Sequence, residues 1–182
     1  MNAKNVEVIN SLFSEVLENL GNPNSYLLTS IIALNKLAKV LYSPDLYIWT
    51  EIQMGNPTYT TVLEDWVRCY IKNRQEKTKE TKELLKKATQ PIDNLGIIIG
   101  SHITLEELMA RSKESGGGFR HIGFIEAKYK HLLKTNKENQ GVYNRSHLAT
   151  TLSIIKSMAY RMAVNNRIEE SIAKPSYAEQ HE

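Results

Sequence analysis

Apolar side chains recur at three- and four-residue spacings along most of this 182-residue chain, and this periodicity constrains its fold more than any other feature. In residues 4–20, for example, Ile9, Phe13, Val16 and Leu20 fall on one face of a helix. Similar patterns occupy residues 25–41, 60–87, 104–114, 122–135 and 146–172, and a short one follows Ser43. The sequence therefore predicts an all-α protein, an irregular bundle of about seven helices.

Helix-breaking and capping residues indicate where the first helices start and stop. Gly21-Asn22-Pro23 is expected to end the first helix. Ser43-Pro44-Asp45 supplies an N-cap, a first-turn proline and a first-turn acid for the short helix. Thr60 or Thr61 is the expected cap of a long helix that reaches Lys87.

Residues 89–103 interrupt the helical pattern. Gln90-Pro91 is expected to break the long helix, and Ile97-Ile98-Ile99 could form a buried strand or a packed loop. Because a single strand has no partner, we expect a packed loop. The capping-box spacing of Thr104-Leu105-Glu106-Glu107 then opens another helix, which Ser115-Gly116-Gly117-Gly118 should stop.

Composition favours one globular domain at residues 1–173, followed by a flexible, polar C-terminal tail at residues 174–182. The hydrophobic fraction of 41% and the charged fraction of 24% are ordinary for a domain with one core. The single cysteine, Cys69, excludes an intrachain disulfide. Without a signal sequence or a long apolar run, the chain is expected to be cytoplasmic and to make no membrane contact.

Positive charge is concentrated in residues 68–87, where eight basic and three acidic residues give a net charge of +5. The whole chain has a net charge of +3. The basic residues are Arg68, Lys72, Arg74, Lys77, Lys79, Lys82, Lys86 and Lys87. Residues 72–81 contain no apolar side chain, so we expect the second half of the long helix to project from the core as a basic arm. Such an arm suits contact with nucleic acid or an acidic partner. The alternative is a solvated helix face.

One pair of residues suggests catalysis by a nuclease. Glu126 and Lys128 follow an apolar run, as in metal-dependent nucleases in which an acid holds Mg²⁺ and a lysine steadies a hydroxide. That chemistry requires both residues on a strand. The surrounding pattern is helical, which would separate them by about 200° around the axis. We therefore favour two solvated helix residues.

Other potential catalytic or phosphate-binding residues lack a supporting pattern. The histidines are His102, His121, His131, His147 and His181, and none has a second ligand at zinc-site spacing. We expect them at the surface or the core boundary. Gly116-Gly117-Gly118-Phe119-Arg120 could cradle a phosphate but lacks the Gly-Lys-Ser/Thr ending of a P-loop, so a flexible connection is favoured. No catalytic residue, metal site or cofactor is predicted.

Three further residues are candidates for an interface. Trp49 and Trp66 belong either to the core or to a partner interface, two places where large aromatic side chains are enriched. Arg120, together with nearby lysines, could form a second basic surface.

A leucine- and alanine-rich helix is followed here by an ordered set of aromatic, acidic and glycine residues. The stretches concerned are Tyr26-Leu27-Leu28, residues 33–41, Trp49, Glu51-Ile52 and Gly55. In this order, residues 24–59 resemble the AbiTii domain, in which such a helix precedes Trp, Glu-Leu, Gly and Tyr-Pro. Asn56-Pro57-Thr58-Tyr59 departs from the Tyr-Pro order. The resemblance implies a bacterial abortive-infection or anti-phage context and supplies no catalytic residue.

We therefore expect a non-catalytic accessory or assembly subunit of an anti-phage defence complex. By analogy with multi-subunit defence systems, its partners would be an SMC- or ABC-type ATPase, an effector nuclease, or both. The alternative is a nucleic-acid-binding protein that contacts DNA through residues 68–87. A metal-dependent nuclease is the least favoured hypothesis.

Overall fold

The computed structural model describes residues 3–114 and 118–173. Its helices are α1 (Ala3–Gly21), α2 (Leu27–Leu41), α3 (Pro44–Gln53), α4 (Pro57–Glu76), α5 (Lys79–Asn94), α6 (Leu105–Glu114), α7 (Ile122–Lys134) and α8 (Arg145–Ala173). A small antiparallel hairpin of β1 (Asn139–Gln140) and β2 (Tyr143–Asn144) lies in the predicted polar loop. The prediction of an all-α, multi-helix fold is confirmed.

Side-chain caps start two of these helices next to a proline. At α3, Ser43 Oγ accepts a hydrogen bond of 3.4 Å from the amide of Leu46, as its position before Pro44 predicted. At α4, Asn56 Oδ1 accepts from the amide of Thr58 at 3.0 Å. The expectation that Thr60 or Thr61 caps this helix was wrong, because Asn56-Pro57 already forms its start.

The predicted long helix with a projecting half is instead two helices, α4 and α5, joined by a tight turn. Lys77 adopts a left-handed conformation with φ of 52°, and its amide still bonds to the carbonyl of Asn73. Thr78 then caps α5: its hydroxyl accepts from the Thr81 amide at 3.1 Å, and Thr81 Oγ1 accepts from the Thr78 amide at 3.0 Å. This reciprocal capping satisfies amides that a continuous helix would bond internally, so the chain reverses here.

Pro91 lies inside α5 instead of ending it, which corrects the expected break at Gln90-Pro91. The proline removes one backbone donor, so the carbonyl of Lys87 loses its partner one turn earlier. Lys87 is exposed, and water can hydrate that carbonyl. The helix continues because Ala88 and Ile92 are both buried on its inner face.

Two hydrophobic clusters form the core, and α3 lies between them. Leu46 and Trp49 on one face of α3 pack into a cluster with α1, α2, α7 and α8. Ile48 and Ile52 on its opposite face pack into a second cluster with α4, α5 and the segment that precedes α6. Full burial of an aliphatic side chain contributes about 1.5–3 kcal/mol, so α3 holds the two clusters together.

Residues 95–104 form the packed loop that the sequence favoured, with one isolated bridge between Ile99 and Ile103. Ile97 and Ile103 are buried in the second cluster. Thr104 then caps α6, and its hydroxyl accepts from the Glu107 amide at 3.1 Å. Only this half of the predicted capping box forms, because the Glu107 side chain enters the core.

Two predicted segments fall outside the described residues. These are most of the Ser115–Gly118 stop, of which only Gly118 is described, and the tail at residues 174–182. Among the described helices, none combines the length and apolarity that crossing a membrane requires.

Candidate functional site

Two hydrogen bonds between side chains of α4 and α5 set how these helices lie against each other. Trp66 Nε1 donates to Thr89 Oγ1 at 3.1 Å near the base, and Thr81 Oγ1 donates to Asn73 Oδ1 at 3.0 Å near the turn. Both bonds join residues whose numbers add to 154 or 155. The two helices therefore run antiparallel in constant register. A residue of α4 lies level with the residue of α5 whose number brings the sum to 154 or 155, which means that the two stand at the same height along the hairpin.

This register brings together the basic residues that the sequence singled out. We call residues 68–87 the basic hairpin. Lys72 lies level with Lys82, and Arg68 lies level with Lys86 and its neighbour Lys87. These two levels are about 6 Å apart along the hairpin, from a rise of about 1.5 Å per residue.

All eight predicted basic side chains of the hairpin are exposed. They are Arg68, Lys72, Arg74, Lys77, Lys79, Lys82, Lys86 and Lys87. Two of them have contacts within α4: Arg68 pairs with Asp65 at 3.3 Å, and the Arg74 guanidinium carbon lies 5.8 Å from the centre of the Tyr70 ring. An exposed ion pair such as Arg68–Asp65 contributes little to stability and leaves the arginine accessible to a partner.

The base of the hairpin is apolar and its turn is polar. Leu63 and Val67 of α4 are buried against Ala88 and Ile92 of α5 in the second cluster. Trp66 also stacks on Tyr70, with ring centroids 5.0 Å apart. Nearer the turn, the seam between the helices is the Asn73–Thr81 hydrogen bond. The base therefore fixes the hairpin to the core, and the turn presents cations to solvent.

The candidate nuclease pair lies on α7, which is a helix and not a strand. Glu126 is buried, and its Oε1 accepts a hydrogen bond from the amide of Leu27 at the start of α2. Burial raises the pKa of this carboxyl, and the hydrogen bonds from the Leu27 and Leu28 amides oppose that shift. Lys128 instead lies over the Tyr143 ring, 5.2 Å from its centroid. The expectation that both are solvated was wrong for Glu126, which caps another helix.

The four described histidines are dispersed. His131 and His147 are exposed, and the exposed His121 caps α7, where its Nδ1 accepts from the Gly123 amide at 2.9 Å. His181 lies outside the described residues. Within residues 3–114 and 118–173, no three histidine, cysteine, aspartate or glutamate side chains are arranged to hold a metal ion.

His102 is buried, which contradicts the expected surface or boundary position. Its Nδ1 accepts from the amide of Ile98 at 2.8 Å, so its proton is on Nε2, which lies 2.6 Å from Asp45 Oδ1. Both ring nitrogens are thus engaged, and this histidine has no free lone pair for general-base chemistry.

The described end of the glycine-rich segment is tied to the core. Phe119 is buried, and its amide donates to Glu64 Oε1 at 2.7 Å. The carbonyl of Arg120 accepts from Arg111 Nη1 at 3.0 Å. A phosphate cradle needs free amides, whereas this amide is already bound to a carboxylate. The Arg120 side chain is exposed and remains a candidate contact.

Both tryptophans lie in the core, the first of the two places that the sequence allowed for them. Trp49 is fully buried in the first cluster, and Trp66 is 8% exposed in the second. The sequence positions of these tryptophans on α3 and α4 fit a core residue and an interface residue equally well. Only the packing of neighbouring helices decides between the two.

A buried polar network was missed from the sequence. Gln53, Glu107 and Arg111 are each almost fully buried. Gln53 Nε2 donates to Glu107 Oε1 at 2.9 Å, and Arg111 Nη2 donates to Gln53 Oε1 at 2.6 Å. Burial raises the pKa of Glu107, against the lowering effect of Arg111. In the sequence, only the four-residue spacing of Glu107 and Arg111 on α6 indicated this network. The same spacing is common on exposed helix faces, so it did not distinguish a buried network from a surface pair.

Comparisons of the chain with protein-family models, with curated proteins and with solved structures found no match.

Proposed function

We propose that this chain is a non-catalytic accessory subunit of a larger cytoplasmic complex, and that the basic hairpin binds an anionic surface of its partner. The observation that carries this proposal is the register of α4 and α5. Two side-chain hydrogen bonds place Lys72 level with Lys82 and Arg68 level with Lys86. Four cations from two consecutive helices thus occupy two adjacent levels of the basic hairpin.

This arrangement contributes little to the stability of the chain alone. The eight basic side chains are exposed, and like charges held at the same level repel each other. Complementary potentials raise association rates and set specificity between partners. A partner with an acidic surface would therefore turn an unfavourable feature of the free chain into a favourable one.

The contacts of Glu126 and His102, two candidate catalytic residues, also support a non-catalytic role. The Glu126 carboxyl binds the amide of Leu27 and so fixes the start of α2. His102 Nδ1 accepts from the Ile98 amide within the packed loop, and its Nε2 bonds to Asp45, so the ring joins this loop to α3. Each of these groups already has a structural role.

The biological context of the proposal comes from the resemblance of residues 24–59 to the AbiTii domain. That resemblance favours a bacterial anti-phage defence complex, and the expected partners are an SMC- or ABC-type ATPase, an effector nuclease, or both. The basic hairpin, residues 68–87 of α4 and α5, lies entirely outside the resembling segment.

Co-expression with the products of adjacent genes tests the docking proposal. We expect a complex that survives size-exclusion chromatography at low salt and dissociates as salt rises, because exposed charge pairs are screened. Lys72→Glu/Lys82→Glu should abolish it. The matched control is Lys36→Glu/Lys39→Glu, which reverses two exposed lysines on α2. Failure to bind any neighbour, or equal effects of both double variants, would contradict the proposal.

Nucleic-acid binding by the same hairpin is the second candidate function, and the paired cation levels favour it as well. Fluorescence anisotropy with duplex DNA at several salt concentrations tests it. Each lost phosphate contact should reduce the slope of log K against log salt by about one, so Lys72→Glu/Lys82→Glu should reduce it by about two. A slope equal to that of the wild type would exclude DNA as the ligand of the hairpin.

A further inference from the structure

A second basic surface lies on α7 and α8, outside the basic hairpin. Residues 120–167 contain nine lysines and arginines against two acidic residues, Glu126 and Glu138, and so carry a net charge of +7. Glu126 is almost fully buried and accepts from the amide of Leu27, which leaves Glu138 as the exposed acid within these residues. The net positive charge of this segment therefore exceeds that of the hairpin, and the proposed function does not use it.

Two clefts adjoin on this surface, where the end of α1 faces α8. One of about 320 Å³ is lined by Lys130 and Lys156, and one of about 630 Å³ is lined by Lys156 and Arg161. Leu20 and Lys156 line both clefts, so the two form one continuous groove, which we call the α8 groove. Its three cations are exposed, and none of them forms a salt bridge with a carboxylate of the described residues. They are therefore available to an anionic ligand.

Exposed aromatic rings stand beside these cations. Tyr160 lines the larger cleft together with Lys156 and Arg161, and it is 58% exposed. At the other end of the groove, Tyr26 is 53% exposed, and the Lys130 ammonium lies 3.5 Å from the centre of its ring. This cation–π contact holds the lysine beside the ring and covers only one of the two ring faces. Cations and exposed rings are thus interleaved along the groove.

Interleaved cations and rings match single-stranded nucleic acid. In such complexes, cations follow the phosphates and successive bases stack on aromatic side chains. An acidic protein would use the cations and leave the rings exposed, and the bases of a duplex are stacked on each other. The basic hairpin lacks this combination, because Tyr70, its one aromatic residue, is half-buried and stacked on Trp66.

The walls of the groove add contacts that suit the same ligand. Leu17 and Val164 give the larger cleft an apolar lining for the bases, and the side-chain amide of Asn165 can donate to a phosphate or sugar oxygen. From these features we infer that the α8 groove binds single-stranded nucleic acid, with bases stacked on Tyr26 and Tyr160 and phosphates on its three cations. This site is separate from the duplex contact considered for the basic hairpin.

Fluorescence anisotropy with labelled oligo(dT) and oligo(U) of about twelve nucleotides tests this assignment. The full chain carries Lys72→Glu/Lys82→Glu in all measurements, which weakens any contact through the basic hairpin. We expect at least one oligomer to bind. Lys156→Ala/Arg161→Ala should then reduce the slope of log K against log salt by about 1.4, at about 0.7 for each lost phosphate contact.

The matched control is Lys134→Ala/Lys137→Ala, which removes two exposed lysines of the same basic surface that do not line the groove. This pair should leave the slope unchanged.

Changes at Tyr160 separate stacking from charge. Tyr160→Ala should weaken binding at least about fivefold, the lower limit for the loss of one base–aromatic stack. Tyr160→Phe retains the ring and should recover most of this loss. Neither change removes a charge, so the salt slope should stay the same in both. Because the side chain is exposed, both variants should fold.

Four results would overturn the assignment. The first is that neither oligomer binds at about 0.1 mM, the weak limit of non-specific binding. The second is that polyphosphate or polyglutamate, which carry charge without bases, compete as well as an oligomer at equal charge. That result would assign the groove to simple anions or to an acidic protein. The third is that Tyr160→Ala binds as tightly as its parent, and the fourth is that the control pair lowers the salt slope as much as the groove pair. None of these results bears on the basic hairpin.

Discussion

We expect Arg111→Met to destabilise the protein strongly, because the Arg111 side chain bonds to groups outside α6. The guanidinium is fully buried and donates to Gln53 Oε1 at 2.6 Å and to the carbonyl of Arg120 at 3.0 Å. It also stands 3.9 Å from Glu107 Oε1 and 5.2 Å from the centre of the Phe119 ring. Methionine fills much of the volume but replaces none of the polar contacts.

The expected loss of stability follows from the buried Glu107 carboxylate that remains after Arg111 is replaced. Glu107 keeps a buried charge without its cation, and removing one partner of a buried pair costs about 3–5 kcal/mol. Total stabilities are about 5–15 kcal/mol, so the variant would be marginal. For a domain of this length, about 2–4 °C of melting temperature corresponds to each kcal/mol, so the midpoint should fall by roughly 6–20 °C.

The loss should also depend on pH, because burial raises the pKa of Glu107 above its ordinary value of 4.5. A carboxyl whose pKa is higher in the folded than in the unfolded state stabilises the fold most at pH values below its unfolded-state pKa. This contribution is lost as the pH rises through the folded-state pKa. Arg111 opposes the shift. Its removal raises the pKa further, so Arg111→Met should lose more stability at pH 7.5 than at pH 5.

Urea unfolding followed by circular dichroism at both pH values measures this difference. Lys113→Met, an exposed change on the same helix, is the matched control and should lose less than about 0.5 kcal/mol. In a Glu107→Gln background, the pH dependence of the Arg111→Met loss should disappear. A loss below about 1 kcal/mol, or an equal loss at both pH values, would refute the electrostatic coupling of Glu107 and Arg111.

Three further changes test the structural roles of single side chains. Thr78→Ala removes the cap of α5 and should cost about 1 kcal/mol in urea unfolding; a neutral effect would mean that the turn does not depend on it. Trp49→Ala should cost about 3–5 kcal/mol, and in Trp66→Phe the remaining Trp49 fluorescence should resist iodide quenching because this residue is fully buried. Ready quenching would place it at the surface. His102→Leu leaves the Ile98 amide without its acceptor and should cost about 1–3 kcal/mol in the same assay; a stable variant would show that water replaces the ring.

Much of the fold followed from local patterns. The apolar periodicity predicted all-α architecture, and Ser43-Pro44 correctly predicted the start of α3, because a cap acts over only three residues. The same local reasoning missed the turn at Lys77. Neither glycine nor proline stands there, and the left-handed conformation falls on a lysine. Thr78 and Thr81 at capping spacing were the one available signal, within a run without apolar residues.

Long-range contacts were beyond local reasoning. Glu126 caps a helix that starts 99 residues earlier, and Gln53 meets Glu107 across 54 residues. Sequence spacing on one helix predicts which side chains share a face, but not which helix packs against that face. Glu126 was therefore expected to be solvated and Glu107 to close a capping box, and only their burial in the assembled helices shows their roles.

The turn at Lys77 changes what the basic residues can bind, although the sequence identified every one of them. On a continuous helix, Arg68 and Lys86 would lie about 27 Å apart, at a rise of about 1.5 Å per residue. In the hairpin they lie level with each other, as the Trp66–Thr89 and Asn73–Thr81 hydrogen bonds require. Charge density along the element is roughly doubled and its length is halved. A compact acidic patch or a short stretch of phosphates therefore matches this element better than an extended acidic surface does.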